Sequence, residues 1–336
     1  MTAEENPNTE LGYRWPPRII FNTDGCLVFK YLCRRNPDHT TEMMVPLAET
    51  CVDVISVLVG VNDDLSWRGS AHGELWGETM GSDIMQVLPG GDLSASPAAD
   101  AIIGSSDLLQ MNLKAMVDDG HDVFQLFVDR ARQVGLGIFA SFRMNDAHCN
   151  MEHRMADARR SALKVEHTDW LIGSPPTGTD GYALDFNFCW QWNWARDEVR
   201  HRFLGLFDET LTRYEVDGLE LDFCRPPPFF KPNQALKHVD TMTTFIREAR
   251  TLSARHAERR GRGVKLLCRV PSSLDAAFEI GLDVDNWIRE GLVDLIAISS
   301  PGGVRPHNDV ARAVAAATSS GTLVYVGSGG TYPASP

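Results

Sequence analysis

Seven short apolar runs rich in β-branched residues, spaced along the chain with helical stretches between them, constrain the fold more than any other feature. They are RIIFN (18–22), VDVISVLVG (52–60), LGIFASFR (136–143), GLELDF (218–223), VKLLCRV (264–270), VDLIAIS (293–299) and TLVYVG (322–327). Strands alternating with helices are the sequence form of a parallel sheet wound by βα units. Helical stretches run from Asp122 to Val134, from Ala195 to Tyr214 and from Val239 to Arg259, ahead of the third, fourth and fifth runs. In the second of these, Val199, Phe203, Leu206, Phe207, Thr210 and Leu211 fall near helical spacing and give one apolar face to lay on a sheet. The fold class expected is α/β, a (β/α)8 TIM-type barrel.

A length of 336 residues suits one such barrel with insertions. Residues 1–17 read as an N-terminal extension and 18–336 as a single catalytic domain, with an insertion at about 61–120 that reads as an ornate crossover rather than a lid. Seven runs leave the barrel one short, and TYPASP follows soon after the seventh. Either YALDFNF (182–188) supplies the eighth strand or this chain lacks the last βα unit. The second reading is preferred, because 183–187 stands directly before a helix start.

A net charge of −13 argues against nucleic acid or an anionic membrane as partner, since both need clustered Lys and Arg. A small acidic ligand stays open, provided that arginines are concentrated at its site. The N-terminus is polar and acidic, without the basic start and apolar run of a secretory signal, and no apolar segment is long enough to span a bilayer, so a cytoplasmic protein is expected. Seven scattered cysteines without a CxxC pair read as reduced thiols.

Several runs are followed at once by polar or glycine-rich residues: TDG, MNDAH, CRPPP, PSS, SPGG and GSGG. In a parallel barrel these are the loops at the C-terminal face, where the chemistry sits. In YEVDGLELDFCRPP the alternation puts Glu220 and Asp222 on one face and Leu219, Leu221 and Phe223 on the other. Leucines suit the helical side, so the two carboxyls are expected to point into the barrel, where burial and like charge raise at least one pKa, as a general acid requires. The competing reading makes Glu220, the deeper of the two, a core carboxylate.

FASFRMNDAHCN offers Arg143, Asn145, Asp146 and His148 within six residues, a natural set for binding a polyol or a carboxylate. The first run ends in Asn22 and Asp24, the fourth and fifth reach Arg225 and Arg269, and each arginine has a salt bridge to a barrel carboxylate as its alternative role. Trp190, Trp192 and Trp194 alternate, so at most one face of them is available to stack on a sugar. His148, Cys149 and His153 match no zinc spacing; neither a metal nor any other cofactor is expected.

These motifs, in this order, resemble the family-10-like glycosyl hydrolase superfamily of barrel proteins, in which strand ends like NTDG and FRMNDxH and a VDGLELDFxR strand recur; the likeness runs from about Arg18 to Gly330. Within it, the Asp at the first strand end and the Arg-x-x-x-x-His at the third are similar to those of glycoside hydrolase family 156, the inverting exo-sialidases. The resemblance implies a glycoside hydrolase with Asp24 and His148 as an inverting Asp/His pair, and with Arg143 and Arg225 as partners of a sialic acid carboxylate. Asn22, Asn145, Asp146 and Arg269 are further candidates for binding substrate, and two alternatives stay open: a barrel glycosidase using Glu220 and Asp222 on neutral sugars, with the arginines neutralising Glu220, Asp222 and Asp146, or a non-catalytic carbohydrate-binding barrel.

Overall fold

The computed structural model describes residues 12–23, 36–61, 64–76, 78, 105–146, 161–173, 190–225, 227–299 and 309–327. All seven apolar runs form strands: β1 (Ile19–Thr23), β2 (Val52–Val61), β5 (Gly137–Arg143), β6 (Gly218–Asp222), β7 (Lys265–Pro271), β8 (Leu295–Ser299) and β9 (Leu323–Gly327). They pair in parallel in that order. Two short strands, β3 (Asp64–Leu65) and β4 (Glu74–Leu75), extend the sheet beyond the end of β2. The principal helices are α1 (Ser105–Asp118), α2 (Val123–Val134), α3 (Asp197–Arg213), α4 (Val239–Arg260), α5 (Leu274–Glu279), α6 (Val284–Arg289) and α7 (Val310–Ala317). No helix of the described residues is long and apolar enough to cross a membrane.

Alternation along each strand divides the side chains into two cores. Ile55, Val57 and Val59 of β2, Ile138, Ala140 and Phe142 of β5, Leu219 and Leu221 of β6, and Ile296 and Ile298 of β8 pack outward with Phe127, Phe203, Phe245 and Trp287 of the helices. The opposite parity gives a second cluster, in which Val54, Phe139, Leu267 and Leu295 meet Tyr13, with Ile20, Leu323 and Tyr325 packed against them. Residues from both ends of the strand order can share one cluster only if the sheet curls around it, as in a barrel. Gly218 makes room for this interior: a Cβ there would lie 2.6 Å from the Lys265 carbonyl and 3.0 Å from the Phe139 ring.

Among the described residues no eighth strand stands between β9 and β1. The Tyr325 hydroxyl donates to the Pro17 carbonyl at 2.6 Å, tying the last strand to the chain just ahead of the first. Residues 174–189, which include all of YALDFNF (182–188), lie outside the described residues. Tyr13, within the stretch read as an extension, belongs to the interior cluster. Inside the stretch read as an insertion, Leu65, Trp67, Leu75, Leu113 and Met116 are all buried, and Trp67 packs on Phe124 and Tyr214 while its indole donates to Glu209 at 3.3 Å. Its described parts are therefore packed structure.

One device recurs at the N-terminal end of alternate strands. The Val-Asp pairs at 52–53, 216–217 and 293–294 place Asp53, Asp217 and Asp294 where each carboxylate accepts a backbone N–H of the preceding strand unit: Arg18 at 2.6 Å, Ile138 at 2.9 Å and Leu266 at 2.9 Å. Asp217 and Asp294 return the bond from their own N–H groups to the carbonyls of Ile138 and Leu266. Arginines complete the three sites: Arg18 on Asp53, Arg132 and Arg262 on Asp217, and Arg250 on Asp294. A side chain that closes a two-way bond with the neighbouring strand fixes register, and register decides which side chains face inward. Asp217 is fully buried, so Asp217→Ala should destabilise the protein by about 3 kcal/mol, and Asp217→Asn, which keeps an acceptor for Ile138, by less. Denaturant unfolding of the three proteins checks this; losses within about 0.5 kcal/mol for both variants would contradict the role.

Candidate functional site

Climbing the interior from its apolar floor, the next inward positions are polar: Asn22 on β1, Ser56 on β2, Ser141 on β5 and Glu220 on β6, then Arg143, Asp222 and Arg269, and finally Ser299 on β8. Register sets Ser141 beside Glu220, Arg143 beside Asp222, and Asp222 beside Arg269. The expected orientation of the fourth strand is observed, with both acids inside and Leu219 and Leu221 in the helical core.

Glu220 is only 2% exposed. Asn22 reaches it from β1, its amide nitrogen 2.9 Å from Oε1 and 2.7 Å from Oε2, and the Ser56 hydroxyl of β2 donates to Oε2. Burial pushes the Glu220 carboxyl up to about 7, helped by the negative charge of Asp222; the bonds from Ser56 and Asn22 and the Arg269 charge pull the other way without prevailing. Asp222 stands two residues further on, about 6.6 Å along the strand. Its Oδ2 accepts from Arg269 at 2.9 Å and its Oδ1 from the Cys224 N–H at 2.8 Å, while the second Arg269 nitrogen donates to Ser299 at 3.1 Å. The two carboxyls thus differ in kind, one held by neutral donors in a dry interior and the other facing a guanidinium.

At the third strand end the described polar side chains are held by neighbouring groups. Arg143 donates to Asp146 at 2.8 Å, and both are buried. Asn145 accepts from the Trp192 N–H at 3.1 Å and donates to the carbonyls of Trp192 at 3.2 Å and Pro228 at 2.9 Å, so its amide clamps two loops together. The Met144 carbonyl accepts from the Trp194 indole, whose ring lies against Phe203 and Phe245. Trp192 and Trp194 are core residues, and Trp190 is partly buried against them. Arg225 follows β6 and is half-buried. Asp24 and His148, like Cys149 and His153, lie outside the described residues. Among the described residues there is no cluster of metal-ligating side chains.

No protein family model and no curated protein matches the chain. Solved structures to which it is similar include an alpha-amylase from Lactobacillus plantarum, at 14% identity and a TM-score of 0.42 over 83% of this chain and 52% of that one. A family GH18 chitinase from Chromobacterium violaceum shares 14% identity, with a TM-score of 0.44 over 84% of this chain and 36% of that one. Alpha-L-fucosidase isoenzyme 2 from Paenibacillus thiaminolyticus shares 10%, with a TM-score of 0.40 over 92% and 45%. The chain spans about half the length of the amylase.

Ser56 and Ser299 escaped the motif reading because a serine at a strand position carries no chemistry by itself. The signal is there in another form: each occupies an inward position and interrupts the apolar stretch that follows the Val-Asp pair, in VDVISVLVG and in VDLIAIS. A polar side chain there needs a buried partner.

The Glu220 environment fixes a pH response. The unfolded carboxyl ionises near its ordinary value of 4.5 and the folded one near 7, so between these values the folded protein keeps a proton that the unfolded chain has lost. Stability therefore falls as pH rises through this window and levels off above it, by roughly 3 kcal/mol for this one group. Glu220→Gln should remove that component, and unfolding free energies of both proteins at pH 5 and pH 8 test it. A parent that weakens no more than the variant between those pH values would contradict the environment described.

Proposed function

We propose that this protein is a carbohydrate-active hydrolase that cleaves glycosidic bonds of neutral sugars, with Asp222 and Glu220 as its working carboxyls. The observation that carries the reading is the contrast between them. Glycoside hydrolysis needs one carboxyl that holds a proton near neutral pH and another that stays negative against the positive charge developing at the anomeric carbon. Glu220 has the environment of the first, and Asp222, bonded by the Arg269 guanidinium, is assigned the second role on that contact. Asp222 ends its strand at the C-terminal side of a curled parallel sheet, the side at which barrel enzymes carry their chemistry, and Glu220 lies two residues deeper.

Charge pairing favours a neutral sugar. Arg143 is bonded to Asp146 and Arg269 to Asp222, so each of these guanidiniums already has an anionic partner. With Glu220 largely protonated below pH 7, these groups sum to about zero. A second reading, an inverting exo-sialidase with Asp24 and His148 as its pair and Arg143 and Arg225 on the sugar carboxylate, rests on the family-156-like strand ends NTDG and FRMNDAH. It requires Arg143 to exchange Asp146 for the substrate carboxylate.

A panel of aryl glycosides that includes neutral hexosides, uronides and a sialoside separates these readings. Turnover of a neutral hexoside is expected, with Asp222→Asn and Glu220→Gln each lowering kcat by roughly 10²- to 10⁴-fold and changing KM little. Cleavage of the sialoside alone, abolished by His148→Ala, would favour the sialidase. Sugar binding without turnover of any substrate would make the protein a carbohydrate-binding barrel.

A further inference from the structure

Asn22 and Ser56 stand 198 and 164 residues from Glu220 in the sequence, yet both converge on its carboxyl from strands on the far side of β5. Each interrupts an apolar alternation, Asn22 above Ile20 and Ser56 between Val54 and Leu58, at a level where the neighbouring inward residues below are hydrocarbon. A dry interior tolerates such groups only when their bonds are made, and an apolar trio of similar volume would fill the space at no electrostatic cost. The arrangement therefore calls for a role in the chemistry of the carboxyl.

The donor and acceptor capacities of the three side chains suggest that role. An amide NH2 is a donor in every state, and that of Asn22 addresses both carboxyl oxygens. A hydroxyl can donate or accept. Ser56 can donate to Oε2 when Glu220 is ionised and accept the carboxyl hydrogen when it is protonated, with no movement of either side chain. We propose that Asn22 and Ser56 are positioning residues for Glu220, Asn22 fixing the carboxyl in place and Ser56 reversing its hydrogen bond as the proton arrives and leaves. The carboxyl then cycles between acid and base without leaving its socket.

Among the described residues, the other groups around Glu220 do not supply this function. Asp222 on its own strand repels the ionised form, and Arg269 on β7 attracts it but is bonded to Asp222. Arg143 on β5 is bonded to Asp146. Burial pushes the thiols of Cys224 and Cys268 up, so neither takes part as a base. Ser56 and Asn22 are the neighbours whose bonds directly favour loss of the proton.

As a catalytic role this rests on the glycosidase reading, but its physical core can be tested without turnover. Difference infrared titration of the carboxyl C=O band, taken against Glu220→Gln, should show a buried acid with a midpoint near 7 in the parent. Ser56→Ala, which loses the donor to the ionised form, should move the midpoint up by about one pH unit, a tenfold change in proton affinity, and Ser56→Thr should restore it. Asn22→Ala gives the same test from the other strand should Ser56→Ala fail to fold, again with an upward shift. Midpoints unchanged in both alanine variants would overturn the proposal. A parent that cleaves no glycoside while Ser56→Ala still shifts the band would instead sink the glycosidase reading and leave the socket intact. If turnover is found, the pH profile of kcat should move with the infrared midpoint, which a merely structural serine would not cause.

Discussion

A carboxyl buried at the centre of a curled sheet, bonded by side chains from the first and second strands, is the interaction on which the rest of this structure turns. Glu220 can be reached by Asn22 and Ser56 only if β1 and β2 are brought round to face β6 across the interior. The contact therefore depends on both curvature and register. A slip of one residue in β6 would send Glu220 into the helical shell and bring Leu219 or Leu221 inside. The buried Asp217, one residue ahead of β6 and bonded to Ile138 in both directions, guards against that slip. A structural carboxylate at the base of the strand thus fixes the placement of two chemical ones above it.

The interior is graded along the strands. Its lower half is hydrocarbon closed from beneath by Tyr13, and its upper half carries four carboxyl or guanidinium groups together with hydroxyls and an amide. Apolar walls below strengthen every charge interaction above, which is why a carboxyl with two neutral donors still holds its proton near neutrality. Among the described residues, Arg143 pairs with Asp146 and Arg269 with Asp222, so the overall charge of −13 is locally balanced at these two sites.

Much of the architecture was legible in the sequence. The seven apolar runs are the seven parallel strands, the three predicted helices match α2, α3 and α4 to within a few residues, and the alternation in GLELDF gave the inward direction of Glu220 and Asp222. These features depend on periodicity over a few residues, which a chain displays locally. Partnerships across more than a hundred residues were hidden: nothing near Asn22 points to Glu220, and nothing near Ser56 marks it as more than a break in a strand. Asn145 looked like a ligand group because it stands among other polar residues, and only the backbone of Trp192 and Pro228 shows what its amide holds. The Val-Asp pairs are visible as letters, but their shared function at alternate strands appears only once the strands are paired.

A double-mutant cycle between Asn22 and Glu220 tests the central claim most directly. Unfolding free energies at pH 8 of the parent, Asn22→Ala, Glu220→Ala and the double variant should give a coupling of about 1.5 kcal/mol or more, the value of a buried hydrogen bond to a charged group. Effects that add to within about 0.5 kcal/mol would mean that the two side chains do not meet across the interior, and the account built on that contact would fail.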